Sequence, residues 1–183
     1  AIAALPLVEG GLADFVIADC LSGISGAGRR AGARNLYGEV HDSAVAYAVA
    51  GTHRHVSEIE QTLAVPVVFT PHLVPMSRGM LATIHVRPRG PMPSLSDLRD
   101  RYKARYADHP MVDVVDSPPA TREVRGTAIA RVCPSVDEKR GVISVFSAID
   151  NLGKGAAGQA VHCMNLALRL PESMGLPTHP FLP

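Results

Sequence analysis

Two histidines flank an arginine in the stretch VAGTHRHVSEIEQ, and histidine is the residue type most often used for proton transfer. An unperturbed imidazole titrates at about pH 6.5, so either His53 or His55 could act as a general acid or base near neutral pH. The pair could also bind a metal ion, although two ligands without a clear third or fourth make a weak site. A structural role in a polar segment is the third alternative, and the residues alone leave all three open.

Three further segments contain residues that could bind an anion or a nucleotide. The glycine-rich SGISGAG (22–28) lacks both GxGxxG spacing and the Lys-Ser/Thr of a phosphate loop, so by itself it favours a structural turn. Arg78 could bind a carboxylate or phosphate through two parallel hydrogen bonds, although a salt-bridged arginine is commoner. AIDNLGKGAAG (148–158) precedes a helical pattern and indicates either a nucleotide-facing helix N-terminus or a capped helix with close packing at its glycines.

Composition excludes several classes of protein. The 183 residues are 46% apolar and 19% charged, which is typical of one globular domain with or without a short extension. The net charge of +1 argues against a nucleic-acid binder, and no apolar run approaches the roughly 18 residues of a membrane span. Three unclustered cysteines without zinc-site spacing predict a reducing, cytoplasmic location and no metal site. Because the first residue is not Met, we expect the chain to begin inside a longer protein.

Hydrophobic periodicity predicts an α+β fold with several strands joined by hairpins. The expected helices are the tail of one at 1–9 and three more at 57–64, 94–107 and 156–170. The expected strands are 14–20, 65–75, 79–88, 111–115, 127–133 and 142–149, with a loop at 22–34, a partly extended segment at 40–51 and a hairpin turn at 134–141.

Capping and stripe patterns refine three of the helices. Ser57 and Glu60 match a capping box, and Ser94 with Asp97 would cap the helix over 94–107. The apolar stripe of that helix is expected to consist of Leu95, Leu98, Tyr102 and Tyr106. In the last helix, the residues expected on one face are Ala157, Ala160, Val161, Met164 and Leu168. Cys133 and Cys163 are expected in the core.

The motifs together resemble one enzyme family, the N-acetyl-γ-glutamyl-phosphate reductases. Four linked motifs carry the resemblance over nearly the whole chain: SGISGAGR, AYAVAGTHRHVSEIEQ, FTPHLVPMSRGMLATIHV and AIDNLGKGAAGQAVHCMNLAL. The family uses NADPH in the third step of arginine biosynthesis. A cysteine thiolate attacks the acyl carbon and expels phosphate, and hydride then reduces the thioester to N-acetylglutamate semialdehyde.

The resemblance also implies the fold and its boundaries. It implies a mixed, largely antiparallel sheet with helices on one face, like the C-terminal domain of glyceraldehyde-3-phosphate dehydrogenase. Residues 1–154 would form the substrate-binding and dimerisation domain, and residues 155–183 a helix and tail that pack on an NADP-binding domain absent from this chain. The family's nucleophile lies in a GCYPT motif that the resemblance places before residue 1, so Cys20 is not expected to take its role.

The site residues that the resemblance implies carry over one by one. His55 is the expected acid/base residue, and His53 is the second choice. Ser22 and Ser25 would contact the substrate, Gly23 and Asn151 the nicotinamide end of NADP, and Arg54 and Arg78 the anionic groups of the substrate. No metal is expected.

Three hypotheses about function remain. In the first, the chain is part of this reductase, acts on a small acyl phosphate, forms a homo-oligomer (dimer or tetramer) and is inactive alone. In the second, it is a truncated, non-catalytic paralogue that acts as an interaction module. In the third, it belongs to a related acyl-phosphate reductase with another substrate. Neither nucleic acid nor membrane is an expected partner.

Overall fold

The computed structural model describes residues 1–28, 32 and 36–181, and a mixed sheet of seven strands organises them. The strands are β1 Val16–Gly23, β2 Val45–Ala46, β3 Val67–Val74, β4 Met80–Val86, β5 Val112–Val114, β6 Ala130–Asp137 and β7 Val142–Ile149. The helices are α1 Leu5–Glu9, α2 Tyr37–Val40, α3 His55–Leu63, α4 Leu95–Tyr106 and α5 Gly158–Ala167. Short 3₁₀ turns cover Ile24–Ala27 and Thr121–Val124, and a π turn covers Gly153–Ala157.

The strand order is β2-β3-β1-β4-β7-β6-β5. Of the six neighbouring pairs, β1–β3 and β5–β6 are parallel, and the other four are antiparallel. Ala18 at the centre of β1 lies opposite Phe69 of β3 and Ile84 of β4. The predicted mixed, largely antiparallel sheet is therefore confirmed.

One face of the sheet carries the hydrophobic core. Along β1, Val16, Ala18 and Cys20 are buried, whereas the intervening Ile17 and Leu21 are 40% and 37% exposed. The alternation follows from the two-residue period of a strand. Leu7 of α1 and Leu98 of α4 are fully buried in the same cluster as the inward-facing strand residues. The prediction of helices on one face is confirmed.

Helix α4 matches its prediction closely. It spans Leu95–Tyr106, and the Ser94 hydroxyl accepts a hydrogen bond from the backbone N–H of Asp97 at 3.1 Å. Leu98, Tyr102 and Tyr106 are buried as expected, while Leu95 is 36% exposed. The periodic stripe and the cap agree here, and both are local signals that a sequence contains in full.

The predicted start of α3 at Ser57 is wrong. The helix begins at His55, and the ring Nδ1 of His53 accepts a hydrogen bond from the His55 backbone N–H at 3.2 Å. Glu60 does not complete a capping box, because its Oε1 accepts from the backbone N–H of Val67 at 3.0 Å. A side chain upstream of the helix thus accepts from one of the free N–H groups at the helix start.

The apolar face predicted for the last helix is largely exposed in the described structure. Met164 and Leu168 are 50% and 62% exposed, whereas the polar His162 and Asn165 are buried. Cys163 is exposed as well, although Cys133 is buried as expected. The reason is a polar network, described below, that binds the inward side of α5 to the chain that follows it.

Strand β6 extends into the first half of the segment predicted as a hairpin turn, and the turn itself covers 138–141. It extends to Asp137, and Pro134 lies opposite Val145 of β7. Pro134 is tolerated because the pairing of β5 with β6 ends at Val132, so beyond that point the other edge of β6 needs no N–H donor. In the predicted loop over 22–34, Ser22 and Gly23 belong to β1, and residues 29–31, 33 and 34 lie outside the described part of the chain.

The tail after α5 packs on the sheet domain. The backbone N–H of Ala128 donates to Pro177 O at 2.9 Å, and the N–H of Phe181 donates to Arg125 O at 3.1 Å. Leu176 packs on a second small core that includes Met111. The exposed apolar side of α5 takes no part in these contacts of the tail. That residues 155–183 pack on another domain through this exposed side stays a prediction. Residues 182 and 183 lie outside the described chain.

Candidate active site

A cavity of about 470 Å³ lies between the start of the chain, α3, the core face of the sheet and the beginning of α5. Its apolar wall includes Ile59, Phe69 and Ile84. The polar or ionisable side chains that line it are those of Cys20, His55, Glu58, Ser147, Lys154 and Gln159. An apolar space with a few convergent polar groups is the usual form of a small-molecule site.

The two predicted acid/base histidines occupy different environments. His55 is exposed on the first turn of α3 and lines the cavity. His53 is half-buried, with its ring against Tyr47, Phe69 and His55 at centroid distances of 5.7, 5.1 and 4.9 Å. Burial, followed by the nearby His55 and Arg54, lowers the pKa of His53, which keeps its imidazole neutral and able to accept the helix N–H. Geometry therefore separates one histidine that faces the cavity from one that supports the helix.

Arg54 lies between the two histidines as the N-cap residue of α3. Its side chain is exposed, and it does not line the cavity in the described structure. Its charge lowers the pKa of His53.

Four of the other predicted site residues meet at one end of the sheet. Asn151 accepts from the backbone N–H of Gly79 at 2.8 Å and donates to the Ser25 hydroxyl at 2.9 Å. Gly23 follows Ser22 in β1, and a side chain there would collide with the Met76 carbonyl at 2.8 Å, so glycine allows the close approach. Ser22, Gly23, Ser25 and Asn151 thus form one connected group.

Arg78 joins the same group through an ion pair. Its Nη2 donates to Asp150 Oδ1 at 2.9 Å, and the Asp150 side chain is completely buried. Asp150 also accepts backbone hydrogen bonds from Gly126 at 2.6 Å and from Leu152 and Gly153 at 2.8 Å. Gly153 itself packs so tightly that a Cβ would lie 2.1 Å from the Thr127 carbonyl. Close packing at the glycines, one of the two alternatives for the AIDNLGKGAAG segment, is therefore present.

Sequence reasoning missed Lys154, the buried ammonium on the cavity wall. Its side chain is 6% exposed, and its Nζ lies 3.2 Å from Nδ1 of His162. The signal that could have found it is its place between two glycines just ahead of α5, since a lysine in tight backbone packing has little room to reach solvent.

The chain start and Cys20 occupy the cavity wall together. Burial raises the pKa of the Cys20 thiol to about 11, so the thiol stays protonated near neutral pH. Ala1 lines the same cavity as Cys20 and His55.

Two tyrosines of α4 hold this first segment in place. Tyr102 is fully buried and donates its hydroxyl to the Ala3 carbonyl at 2.6 Å. Tyr106, one turn later, donates to the Ile2 carbonyl. These bonds hold two consecutive carbonyls in register against the helix.

The described residues contain neither a metal-binding cluster nor a membrane-spanning helix. No group of three or more His, Cys, Asp or Glu side chains there is arranged to hold a metal ion. No helix in the same part of the chain has the length and apolar character needed to cross a bilayer.

Comparisons with known proteins find relatives that align with nearly the whole chain. The N-acetyl-gamma-glutamyl-phosphate reductase of Geobacter metallireducens is 46% identical over 189 residues, covering 98% of this chain and 54% of that protein. The enzyme of the same name from Alkalilimnicola ehrlichii is also 46% identical, again over 98% of this chain and 54% of its own length. The chain thus spans about half the length of these relatives.

The fold comparison agrees. The crystal structure of aspartate semialdehyde dehydrogenase II from Vibrio cholerae superimposes with a TM-score of 0.72 at 18% identity, over 92% of this chain and 58% of that one. At this identity the similarity establishes the fold alone. The family model described as "Semialdehyde dehydrogenase, dimerisation domain" matches residues 1–151, so the chain belongs to that family.

Proposed function

We propose that this chain is the substrate-binding and dimerisation part of an NADPH-dependent N-acetyl-γ-glutamyl-phosphate reductase. The observation that carries the proposal is that His55 and residues 1–4 line one cavity. Two relatives that share 46% of its residues bear this enzyme's name and are nearly twice as long. The remainder of the protein would supply the nucleophilic cysteine and the NADP-binding domain.

In the proposed reaction a cysteine thiolate, from the segment that precedes Ala1, attacks the acyl carbon. The C–O bond to phosphate breaks, phosphate leaves with the bonding electrons, and a thioester remains. His55 accepts the thiol proton as the thiolate forms, and it returns a proton to the sulfur when the C–S bond breaks and the aldehyde is released. The rigid segment held by Tyr102 and Tyr106 would give the cysteine a fixed position relative to His55.

Asn151 is suited to the nicotinamide end of the cofactor. It uses one of its two amide hydrogens for Ser25 and one of its two oxygen lone pairs for Gly79. The donor and acceptor that remain are the complement of a carboxamide, and Gly23 is the other proposed contact of the nicotinamide end. When bound, NADPH would supply the hydride, while this chain's residues orient the acyl group. Ser22 and Ser25 would provide polar contacts to the substrate.

Arg78 and Arg54 remain the proposed binding groups for the anionic parts of the substrate. Arg78 has one guanidinium nitrogen committed to Asp150, and its side chain is 35% exposed, so donors remain available. Arg54 is exposed one residue before His55.

The uncovered sheet face is the proposed self-association surface. Its exposed apolar residues include Ile17 of β1, which lies opposite Val68 of β3, and Leu21 further along β1. Exposed apolar patches of this kind mark protein–protein contacts. The proposed assembly is a homo-oligomer, a dimer or a tetramer, in the cytoplasm.

The test compares this chain with the full-length protein that contains it. Each is given N-acetylglutamate semialdehyde, phosphate and NADP, and NADPH formation is followed by absorbance. We expect activity from the full-length protein and none from residues 1–183 alone; activity in the isolated chain would refute the proposed division of the site. Aspartate semialdehyde serves as the second substrate, and a preference for it would indicate a related reductase. A full-length protein inactive with both would favour a non-catalytic module.

A further inference from the structure

Lys154 is a buried cation on the cavity wall with no assigned role in the proposed reaction. Its side chain is 6% exposed, and it lies in the π turn Gly153–Ala157. Among the described residues that line the cavity it is the one lysine or arginine. The charged side chain Glu58 also lines the cavity, but it lies on α3 and is exposed.

A short chain of hydrogen bonds fixes Lys154 from behind. The Lys154 ammonium donates to Nδ1 of His162 at 3.2 Å, and Nε2 of His162 lies 2.9 Å from the Glu172 carboxylate. A carboxylate can only accept, so Nε2 carries the proton and Nδ1 presents its lone pair to the lysine. Neither His162 nor Glu172 lines the cavity, so Lys154 stands between the cavity and this pair.

The position of Glu172 is itself fixed. The side-chain amide of Asn165, which is 1% exposed, donates to the backbone carbonyls of Glu172 and Met174 at 3.0 and 2.9 Å. The polar inward side of α5 therefore holds Glu172, which orients His162, which orients Lys154. This arrangement explains why the buried side of α5 is polar.

The hydrogen-bonding capacity of the lysine is not filled by these contacts. An ammonium has three N–H donors, and His162 accepts one of them in the described structure. Burial lowers the pKa of Lys154, whereas the neighbouring Cys163 and Glu172 raise it. A buried charge is costly unless it is paired, so an anion in the cavity would complete the site and stabilise the charged form.

We infer that Lys154 binds an anionic oxygen of the substrate, from its phosphate or its carboxylate, and that Glu172 and His162 are positioning residues for it. The inference rests on the proposed function, because the anion would belong to the acyl phosphate that occupies this cavity. Lys154 differs from Arg54 and Arg78 in lying on the cavity wall itself.

The test uses Lys154→Met and Lys154→Arg in the full-length protein. KM values are measured in the direction of semialdehyde oxidation, separately for phosphate, semialdehyde and NADP. We expect Lys154→Met to raise one anion's KM at least about tenfold, the loss typical of a charge-assisted hydrogen bond, with the KM for NADP unchanged. A higher KM for phosphate would show that Lys154 binds a phosphate oxygen. A higher KM for the semialdehyde would show that it binds the carboxylate. Lys154→Arg should recover most of the affinity. Values for both anions within twofold of the wild type would overturn the inference.

A second variant covers the case in which Lys154→Met does not fold. Glu172→Gln removes a charge that raises the pKa of Lys154, so the ammonium should lose its proton at a lower pH. As the pH is raised, anion binding should therefore be lost earlier in the variant than in the wild type. An unchanged alkaline limit would overturn the inference. Calorimetric titration of the same proteins with inorganic phosphate and with N-acetylglutamate tests the anion site directly. If the wild type binds neither probe, the inference fails; if it binds one but lacks reductase activity, the proposed function fails alone.

Discussion

The Asp150 carboxylate accepts a hydrogen bond from Arg78 Nη2 at 2.9 Å, and this contact joins the segment before β4 to the segment after β7. The partners are 72 residues apart in the chain. Three backbone N–H groups donate to the same carboxylate, from Gly126, Leu152 and Gly153. Asp150 therefore organises the end of the sheet where Asn151 and Ser25 also meet.

Replacing Asp150 should destabilise the protein strongly. Asp150→Ala leaves a partly buried guanidinium and several backbone donors without their acceptor, and we expect a loss of about 3 kcal/mol in the free energy of unfolding. Urea denaturation followed by circular dichroism measures the change. The control is Asp137→Ala, which removes a carboxylate from an exposed pair with Arg140 and should cost much less. Similar losses in the two variants would contradict the role assigned to Asp150.

The Asp150 contribution should also disappear in acid. Burial raises the pKa of this carboxyl, but the hydrogen bonds from Arg78, Gly126, Gly153 and Leu152 outweigh burial and hold its pKa below the usual value. A carboxyl whose pKa is lowered by folding stabilises the protein above its unfolded pKa of about 3.9, and the stabilisation is lost as the pH falls further. Asp150→Asn should therefore show a weaker loss of stability than the wild type when the pH is lowered through about 4 to about 3.

The second prediction concerns Tyr102. Tyr102→Phe leaves the buried Ala3 carbonyl without its donor, and the expected loss in unfolding free energy is about 1–2 kcal/mol. In the full-length protein the same change should lower turnover more than it changes the KM for semialdehyde, because the segment that it holds would carry the nucleophile. Tyr47→Phe, at a tyrosine that is 38% exposed, is the matched control. A loss of stability with turnover unchanged would show that Tyr102 acts in folding alone.

Local patterns made α4 predictable, and long-range contacts explain the errors elsewhere. Ser94 and the Leu98–Tyr102–Tyr106 stripe lie within one helix, so the sequence contains every interaction that defines it. At the start of α3 the first N–H is accepted by the His53 ring, an interaction that the serine capping pattern does not describe.

Helix α5 shows the same limit for burial. Hydrophobic periodicity locates an apolar face, but it does not reveal whether that face lies against the sheet or away from it. In this helix the inward side is the one that carries His162 and Asn165, whose hydrogen-bond partners lie in the following segment. In the site, the motif resemblance predicted a role for His55, whereas Lys154 became a candidate only from the lining of the cavity.

The third prediction concerns Cys20. Its thiol has a pKa of about 11 because it is buried, so the reactive thiolate is scarce at neutral pH. Cys20→Ala in the full-length protein should keep turnover within about threefold of the wild type, since the change removes only a small buried side chain. Turnover is measured with the NADPH absorbance assay. A loss as large as that of a nucleophile variant would contradict this assignment.

The fourth prediction concerns the uncovered sheet face. Leu21→Asp introduces a charge into the proposed self-association surface, and we expect the full-length protein to dissociate towards monomer. Light scattering coupled to gel filtration measures the mass. Leu95→Asp is the control, because Leu95 is similarly exposed at 36% but lies on α4, on the opposite side of the sheet. Dissociation by Leu95→Asp and not by Leu21→Asp would place the interface on the helical side.

The last prediction separates the two histidines of the HRH motif. His55 lines the cavity, while His53 accepts the first helix N–H and packs against Phe69. His55→Gln in the full-length protein should lower turnover by about 10²–10⁴-fold, the range for a lost general acid/base, and should remove the imidazole limb of its pH profile. His53→Gln keeps an oxygen that can accept the His55 N–H, so its effect should stay within about tenfold and appear mainly in stability. Equal losses of turnover in the two variants, or a larger loss at His53, would mean that the cavity-facing imidazole is not the acid/base group.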